Sequence, residues 1–347
     1  MNKHVKNILN VAFMIVLFIL TIYVIFSNND IEDVFTQIKG GSIIVLVIAM
    51  GMMLISTLCE SVIIYIILKS YKEKVSFLRC AKYSFIGFYY CAITPSASGG
   101  QPAQIFYMKK DGYKLTTSTI IIMTIVTVYK LVLIGFVGFV MIFNIGFLND
   151  NIGSLKFFFG LGVILNTIFI IFVIMMFVMP SILDYLLKGL LNACCKIRLM
   201  RNHDGKLKKL SDTMNDYIAG TNYIKQNWKL LIPVTVLTIV QRLLLFSIAY
   251  VIYRYFGLTQ YSFMDILTLS VILSTSVDVL PVPGGIGASE LAFKILFEKV
   301  YIKVMLVPAM LVTRFVNFYF MLILSAIISL AAHFLMIRNE FRKEDFS

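Results

Sequence analysis

TPSASGGQPAQ at residues 94–104 and LPVPGGIGASE at residues 280–290 interrupt two apolar runs where a bilayer-spanning helix should continue. The two stretches share a layout. Pro95 and Pro281 each precede a Gly-Gly pair, Gly99-Gly100 and Gly284-Gly285. A helix breaker follows two positions on, Pro102 or Gly287, and then Ala103 or Ala288 and a polar side chain. Backbone freed from helical hydrogen bonding is tolerated at membrane depth only where protein or a water-filled cavity satisfies it. Interruptions in corresponding places therefore point to a transport site between structural repeats.

The rest of the chain supplies the membrane. Of 347 residues, 59% are hydrophobic and 14% charged, and the mean hydropathy is +0.89, which excludes an ordinary soluble domain. Apolar runs at 8–26, 43–68, 115–143, 157–179, 230–253 and 304–334 are each about long enough to cross, a span needing roughly 20 residues. No small-residue cleavage site follows the first run, so it reads as a retained helix and not a signal peptide. The expectation is an all-α polytopic membrane protein with about six transmembrane helices.

Charge placement orients these helices. The 31 Lys and Arg exceed the 18 Asp and Glu by 13. The positives gather between apolar runs: Lys69, Lys72, Lys74, Arg79 and Lys82; Lys109, Lys110 and Lys114; many within 188–229; and Arg338, Arg342 and Lys343. By the positive-inside rule these segments and both termini are cytoplasmic, whereas 27–42 and 144–156 are external. One crossing at 83–108 would then put two cytoplasmic segments on opposite sides. The conflict disappears if 83–108 enters the membrane, turns at the proline-glycine stretch and leaves by the same face, each arm being too short to cross alone. Residues 263–300 read the same way from the external side.

The chain thus divides into two inverted-topology repeats, 1–150 and 151–347, each with a re-entrant helical hairpin. A polar connector, 181–229, carries Leu207, Leu210, Met214, Ile218 and Ile224 near helical spacing and reads as an interfacial amphipathic helix. The plainer alternatives are eight kinked helices and a connector that merely obeys the charge rule.

Ionisable groups within spans cost roughly 2.5–3.5 kcal/mol on insertion scales, so each is a site candidate by default. They are Glu60, Lys130, Arg242 beside Gln241, Asp278, Glu290 and Arg314, the last with Asn317 nearby. Lys130 lies 31 residues after Gly99, and Arg314 lies 30 after Gly284. Such spacing would bring both cations and the carboxylates to one midplane cavity, cations for a phosphate and carboxylates for an amine. Ser96, Ser98, Gln101 and Gln104 would add neutral hydrogen bonds. A structural ion pair, Glu60 with Arg242 for instance, is the competing reading. Asp278 is set apart as a residue that caps the turn.

No P-loop or paired-histidine motif is present, and His4, His203 and His333 are scattered. The five cysteines, Cys59, Cys80, Cys91, Cys194 and Cys195, have no metal-ligand spacing. No catalytic residue, metal, cofactor or nucleic-acid partner is expected.

TPSASGGQPAQIFYMKKDG (94–112) and LPVPGGIGASELAF (280–293) resemble the two signature stretches of the lysylphosphatidylglycerol synthase transmembrane-region family, the flippase-like membrane domain of the multiple peptide resistance factor. The resemblance implies a plasma-membrane protein that moves an aminoacylated phospholipid between leaflets and so protects against cationic antimicrobial peptides. It carries site roles onto Pro95, Ser96, Ser98, Gly99, Gly100, Gln101, Pro102, Gln104, Pro281, Gly284, Gly285, Gly287 and Glu290. Lys130 departs from the family's frequent arginine. In full-length relatives a soluble synthase domain makes the lipid. This chain stops at Ser347, so lysyltransferase activity is not expected of it unaided. The alternatives are such activity with a separate synthase, or service as flippase or scaffold partner to a glycosyltransferase. A homo-oligomer is compatible with either.

Overall fold

The computed structural model describes residues 31–182, 184–185, 188–189, 203–278 and 280–344. All its regular elements are helical, and five helices are long and apolar enough to cross a membrane. The protein is an all-α, multi-pass membrane protein. Those five correspond to the second through sixth expected spans; the first, 8–26, lies outside the described residues.

In chain order the helices are α1 (Ile31–Lys39), α2 (Ile43–Ser70), α3 (Phe77–Ile93), α4 (Gly100–Lys110), α5 (Leu115–Phe143), α6 (Ile145–Asn151) and α7 (Lys156–Val178). There follow α8 (His203–Gln226), α9 (Leu231–Tyr255), α10 (Phe263–Val277), α11 (Ala288–Phe297), α12 (Lys303–Arg314) and α13 (Phe320–Glu344). A π-helical turn, Phe315–Tyr319, joins the last two. The proline-glycine stretches fall at the breaks between α3 and α4 and between α10 and α11, each holding one 3-10 turn, Pro95–Ala97 or Pro283–Gly285. At 1.5 Å per residue, even the 17 residues of α3 fall short of a hydrocarbon core about 30 Å thick.

The two broken pairs open at opposite ends of the bundle. Leu68, Cys80, Met108, Tyr113 and Ile120 are buried in one cluster, at the end where α2 finishes, α3 begins, α4 finishes and α5 begins. Val140, Tyr253, Ile266, Phe297 and Val307 are buried in another, where α5, α9 and α11 finish and α10 and α12 begin. Ser262 and Asp265 form a capping box that sets the start of α10, the Asp265 amide donating to the Ser262 hydroxyl at 3.2 Å. Asn144, just past α5, donates to Asp265 Oδ1 at 3.2 Å and to Thr268 at 3.0 Å, fastening this end.

Glycines set the close approaches. A Cβ on Gly100 would lie 2.2 Å from Cys91 Sγ and 2.8 Å from the Gly87 carbonyl, so α3 and α4 pack backbone to side chain. A Cβ on Gly162 would lie 2.2 Å from the Thr275 carbonyl, where α7 crosses α10. The apolar stripe of helix α8 packs on protein. Its Met214, Tyr217 and Ile224 are buried in the first cluster, beside Leu210. The Tyr223 hydroxyl donates to the Ser70 carbonyl at 2.5 Å, and the Tyr71 hydroxyl donates to that of Gly220 at 3.0 Å. An amphipathic stripe needs an apolar partner; here protein supplies it.

Candidate functional site

The tips of the two broken pairs meet each other. Ala92, at the end of α3, shares a small buried cluster with Ile286 of the second tip and Phe318 of the π-turn. Gly284 fits this junction because its φ is +57°, and a Cβ there would meet the Phe318 ring at 2.3 Å. Ala97, in the first tip, holds φ +52° without being glycine. Such left-handed conformations in ordinary residues store strain and tend to collect at functional sites.

Arg314 and Glu290 organise the second tip. Glu290, 4% exposed, sits in the first turn of α11 and accepts the Gly287 backbone N–H at 2.7 Å through Oε2, closing the free end of that helix. Its Oε1 accepts from Arg314 Nε at 2.8 Å, and Arg314 Nη2 donates to the Gly284 carbonyl at 3.0 Å. The guanidinium also stands 4.5 Å from the Phe318 ring centroid. One side chain thereby ties the start of α11, the tip and the π-turn together.

The first tip is organised differently. Gln104 Nε2 donates to Glu60 Oε1 at 2.7 Å and to the Tyr83 carbonyl at 3.3 Å. Gly87 makes room for that amide, since a Cβ there would be 2.4 Å from Nε2. Arg242 is the cation that interacts with Glu60, yet no ion pair joins them within bonding distance. Its guanidinium stacks on Tyr129 at 3.6 Å, and its buried Nε has no hydrogen-bond partner. Lys130 pairs across the tips with Asp278, the residue following α10.

A family model described as lysylphosphatidylglycerol synthase TM region matches residues 7–325. The chain belongs to that family. Comparison with curated proteins returns no match. Membership makes this a membrane domain linked to the handling of lysylphosphatidylglycerol.

The geometry sorts the candidate residues of this family member. Glu60 gathers Gln104 and lies near Arg242, and Glu290 pairs with Arg314. Lys130, on α5, pairs with Asp278 beside the second tip. The Ser98 hydroxyl donates to the Pro95 carbonyl at 2.8 Å and is exposed, serving the turn locally. Gln101 is half-buried at the start of α4, and nothing is described of the Ser96 side chain. Pro95 opens the first 3-10 turn and Pro102 lies in the first turn of α4, where a proline's missing N–H costs nothing. Pro281 lies just before the second 3-10 turn.

Three cations and three carboxylates lie in and around the junction, so their formal charges cancel. Arg314, Glu290 and Lys130 are already engaged within the protein. Arg242 alone of the three cations has neither a carboxylate nor a carbonyl acceptor. Sequence reasoning passed over Tyr129 and Phe318, which face the guanidiniums. An aromatic at the residue before Lys130, the one charged residue of a strongly apolar helix, is the available signal for the first. Nothing local marked the second.

Proposed function

We propose that this chain is a plasma-membrane lipid translocase with cytoplasmic termini, which moves an aminoacylated or otherwise modified phospholipid such as lysylphosphatidylglycerol between leaflets. The two broken pairs act as re-entrant hairpins of inverted repeats, 1–150 and 151–347, that reach the midplane from opposite faces. The observation that carries this reading is the meeting of the two tips beside Glu60, Arg242, Lys130 and Arg314. It is supported by membership of a family named for a lipid with an anionic phosphate and cationic amines.

Arg242 receives the phosphate. Its buried Nε lacks an acceptor, and a guanidinium suits the planar, bidentate geometry of phosphate oxygens. Glu60, held by Gln104, takes an ammonium of the headgroup. Moving one tip relative to the other exposes the site to each leaflet in turn, in the manner of repeat-built transporters. Delivery of such a lipid to the outer leaflet lowers negative surface charge, which ties the protein to resistance against cationic peptides. A separate lipid-modifying enzyme supplies the substrate.

The test is reconstitution of the purified chain in vesicles carrying labelled lysylphosphatidylglycerol in one leaflet. Transbilayer movement faster than in protein-free vesicles, and slowed by Arg242→Gln, is expected. Movement at the protein-free rate would remove the reading. Formation of lysyl-lipid from lysyl-tRNA and phosphatidylglycerol by the chain alone would replace it with the transferase alternative.

A further inference from the structure

A cavity of about 270 Å³ lies among α9, α10, α11 and the Arg314 end of α12, and both tips contribute to its wall. Its polar lining is Ser270, Ser274, Asp278, Ser289, Thr313 and Asn317. None of the lining residues is a lysine, arginine or histidine, so its one formal charge is the Asp278 carboxylate. The cations of the headgroup site all stand outside this lining.

The lining supplies oxygen acceptors. Ser270 donates its proton to the Ile266 carbonyl at 2.9 Å, and Thr313 donates to that of Ala309 at 2.7 Å. Both hydroxyls are therefore left with lone pairs. Asn317 Oδ1 is buried without any hydrogen-bond donor, an unfavourable state that calls for a partner. Asp278 directly follows α10, at the negative end of that helix. One carboxylate with several neutral oxygens is the donor set of a hard cation. Among the described residues no group of three or more His, Cys, Asp or Glu is placed to hold a metal, so a multivalent ion lacks the charge it needs here. The volume has room for an ion with part of its water shell, a water occupying about 30 Å³ in the liquid.

We infer that this cavity binds a monovalent metal cation, sodium or potassium, which takes the Asp278 carboxylate in exchange for the Lys130 ammonium. Asp278 remains partly accessible while paired, with 28% of its side chain exposed, so the exchange needs no unfolding. Release of Lys130 places a second free cation at the tips beside Arg242. On the lipid-transport reading, cation entry would then prepare the site for a phosphate, coupling ion and lipid. That last step rests on the proposed function; the cation site does not.

The experiment measures binding of radiolabelled sodium to the purified full chain in detergent, with N-methylglucamine chloride holding ionic strength constant and potassium and methylammonium as competitors. Saturable binding that is lost in Asp278→Asn, weakened in Asn317→Ala and tightened several-fold in Lys130→Met is expected. The tightening is the discriminating result, because a purely structural Lys130–Asp278 pair would make Lys130→Met weaken the protein without creating affinity for an ion. Asn317→Ala removes a neutral carboxamide and no charge, and so stays informative if the charge variants fail to fold. Saturable binding of radiolabelled methylammonium, with no saturable sodium binding, would reassign the cavity to an amine. Absence of saturable binding by either metal ion in the wild type and Lys130→Met would overturn the site. Sodium binding by protein that moves no lipid supports the site and removes only the transport reading. Lipid movement without ion binding does the reverse.

Discussion

Arg314 joins the start of α11, the second tip and the π-turn, since its guanidinium serves the Glu290 carboxylate and the Gly284 carbonyl at once. Removing it strands a carboxylate whose side chain is only 5% exposed. We expect Arg314→Ala to lower stability by about 3–5 kcal/mol, the range for a buried pair broken on one side. Thermal unfolding in detergent would register this, and Arg314→Met combined with Glu290→Gln should lose less because no bare charge remains. Gly284→Ala forces an ordinary residue to φ +57° against the Phe318 ring. A loss of about 1–3 kcal/mol is expected, relieved in part by Phe318→Ala. If the two substitutions prove additive in a double-mutant cycle, the close approach is not what disfavours the alanine. At this scale the sequence was a good guide to which residues matter, because an ionisable group in an apolar run has few innocent explanations. It was a poor guide to partners. Glu60 with Arg242 was the natural pairing by type, yet Gln104 holds Glu60 and Tyr129 holds Arg242.

At the level of elements, the contact of α7 with α10 depends on a single missing side chain. Gly162→Ala would drive a methyl group into the Thr275 carbonyl, whereas Gly160, two residues away, has nothing within 4 Å of an added Cβ. The first substitution should cost about 1–3 kcal/mol and the second should be neutral or slightly stabilising in the same helix. Equal effects on thermal stability would mean that helix propensity, not packing, decides. Helix α8 carries the complementary lesson. Its hydrophobic spacing was legible, but a stripe of Leu210, Met214 and Ile224 suits lipid and protein equally. Only the tyrosine bonds to Ser70 and Gly220 tell the two apart. Replacing Tyr223 with phenylalanine should loosen α8 by about 0.5–1.5 kcal/mol and raise proteolysis between α8 and α9. Unchanged proteolysis would indicate that apolar packing alone fixes the helix.

Across the whole molecule, the two broken pairs open at opposite ends, and exposed lysines mark both. Lys72 and Lys110 are exposed at the end where α3 begins and α4 finishes. Lys299 is exposed at the other, where it donates to the Asp150 carbonyl at 2.7 Å. In a cysteine-free background, thiols at Lys72→Cys and Lys110→Cys should react with an impermeant reagent from one side of the membrane, and Lys299→Cys from the other. Labelling of the first two from opposite sides would rule out a re-entrant first hairpin.

Hydropathy, charge asymmetry and two proline-glycine interruptions determined the helical class, the number of described spans and the places where helices break. These are properties of short segments against a bilayer, and local composition is enough to read them. The meeting of the tips, the pairing of Lys130 with Asp278, and the cavity between the tips belong to tertiary structure. They join residues as far apart as Lys130 and Asp278, and packing of intervening helices, not spacing along the chain, brings such groups together.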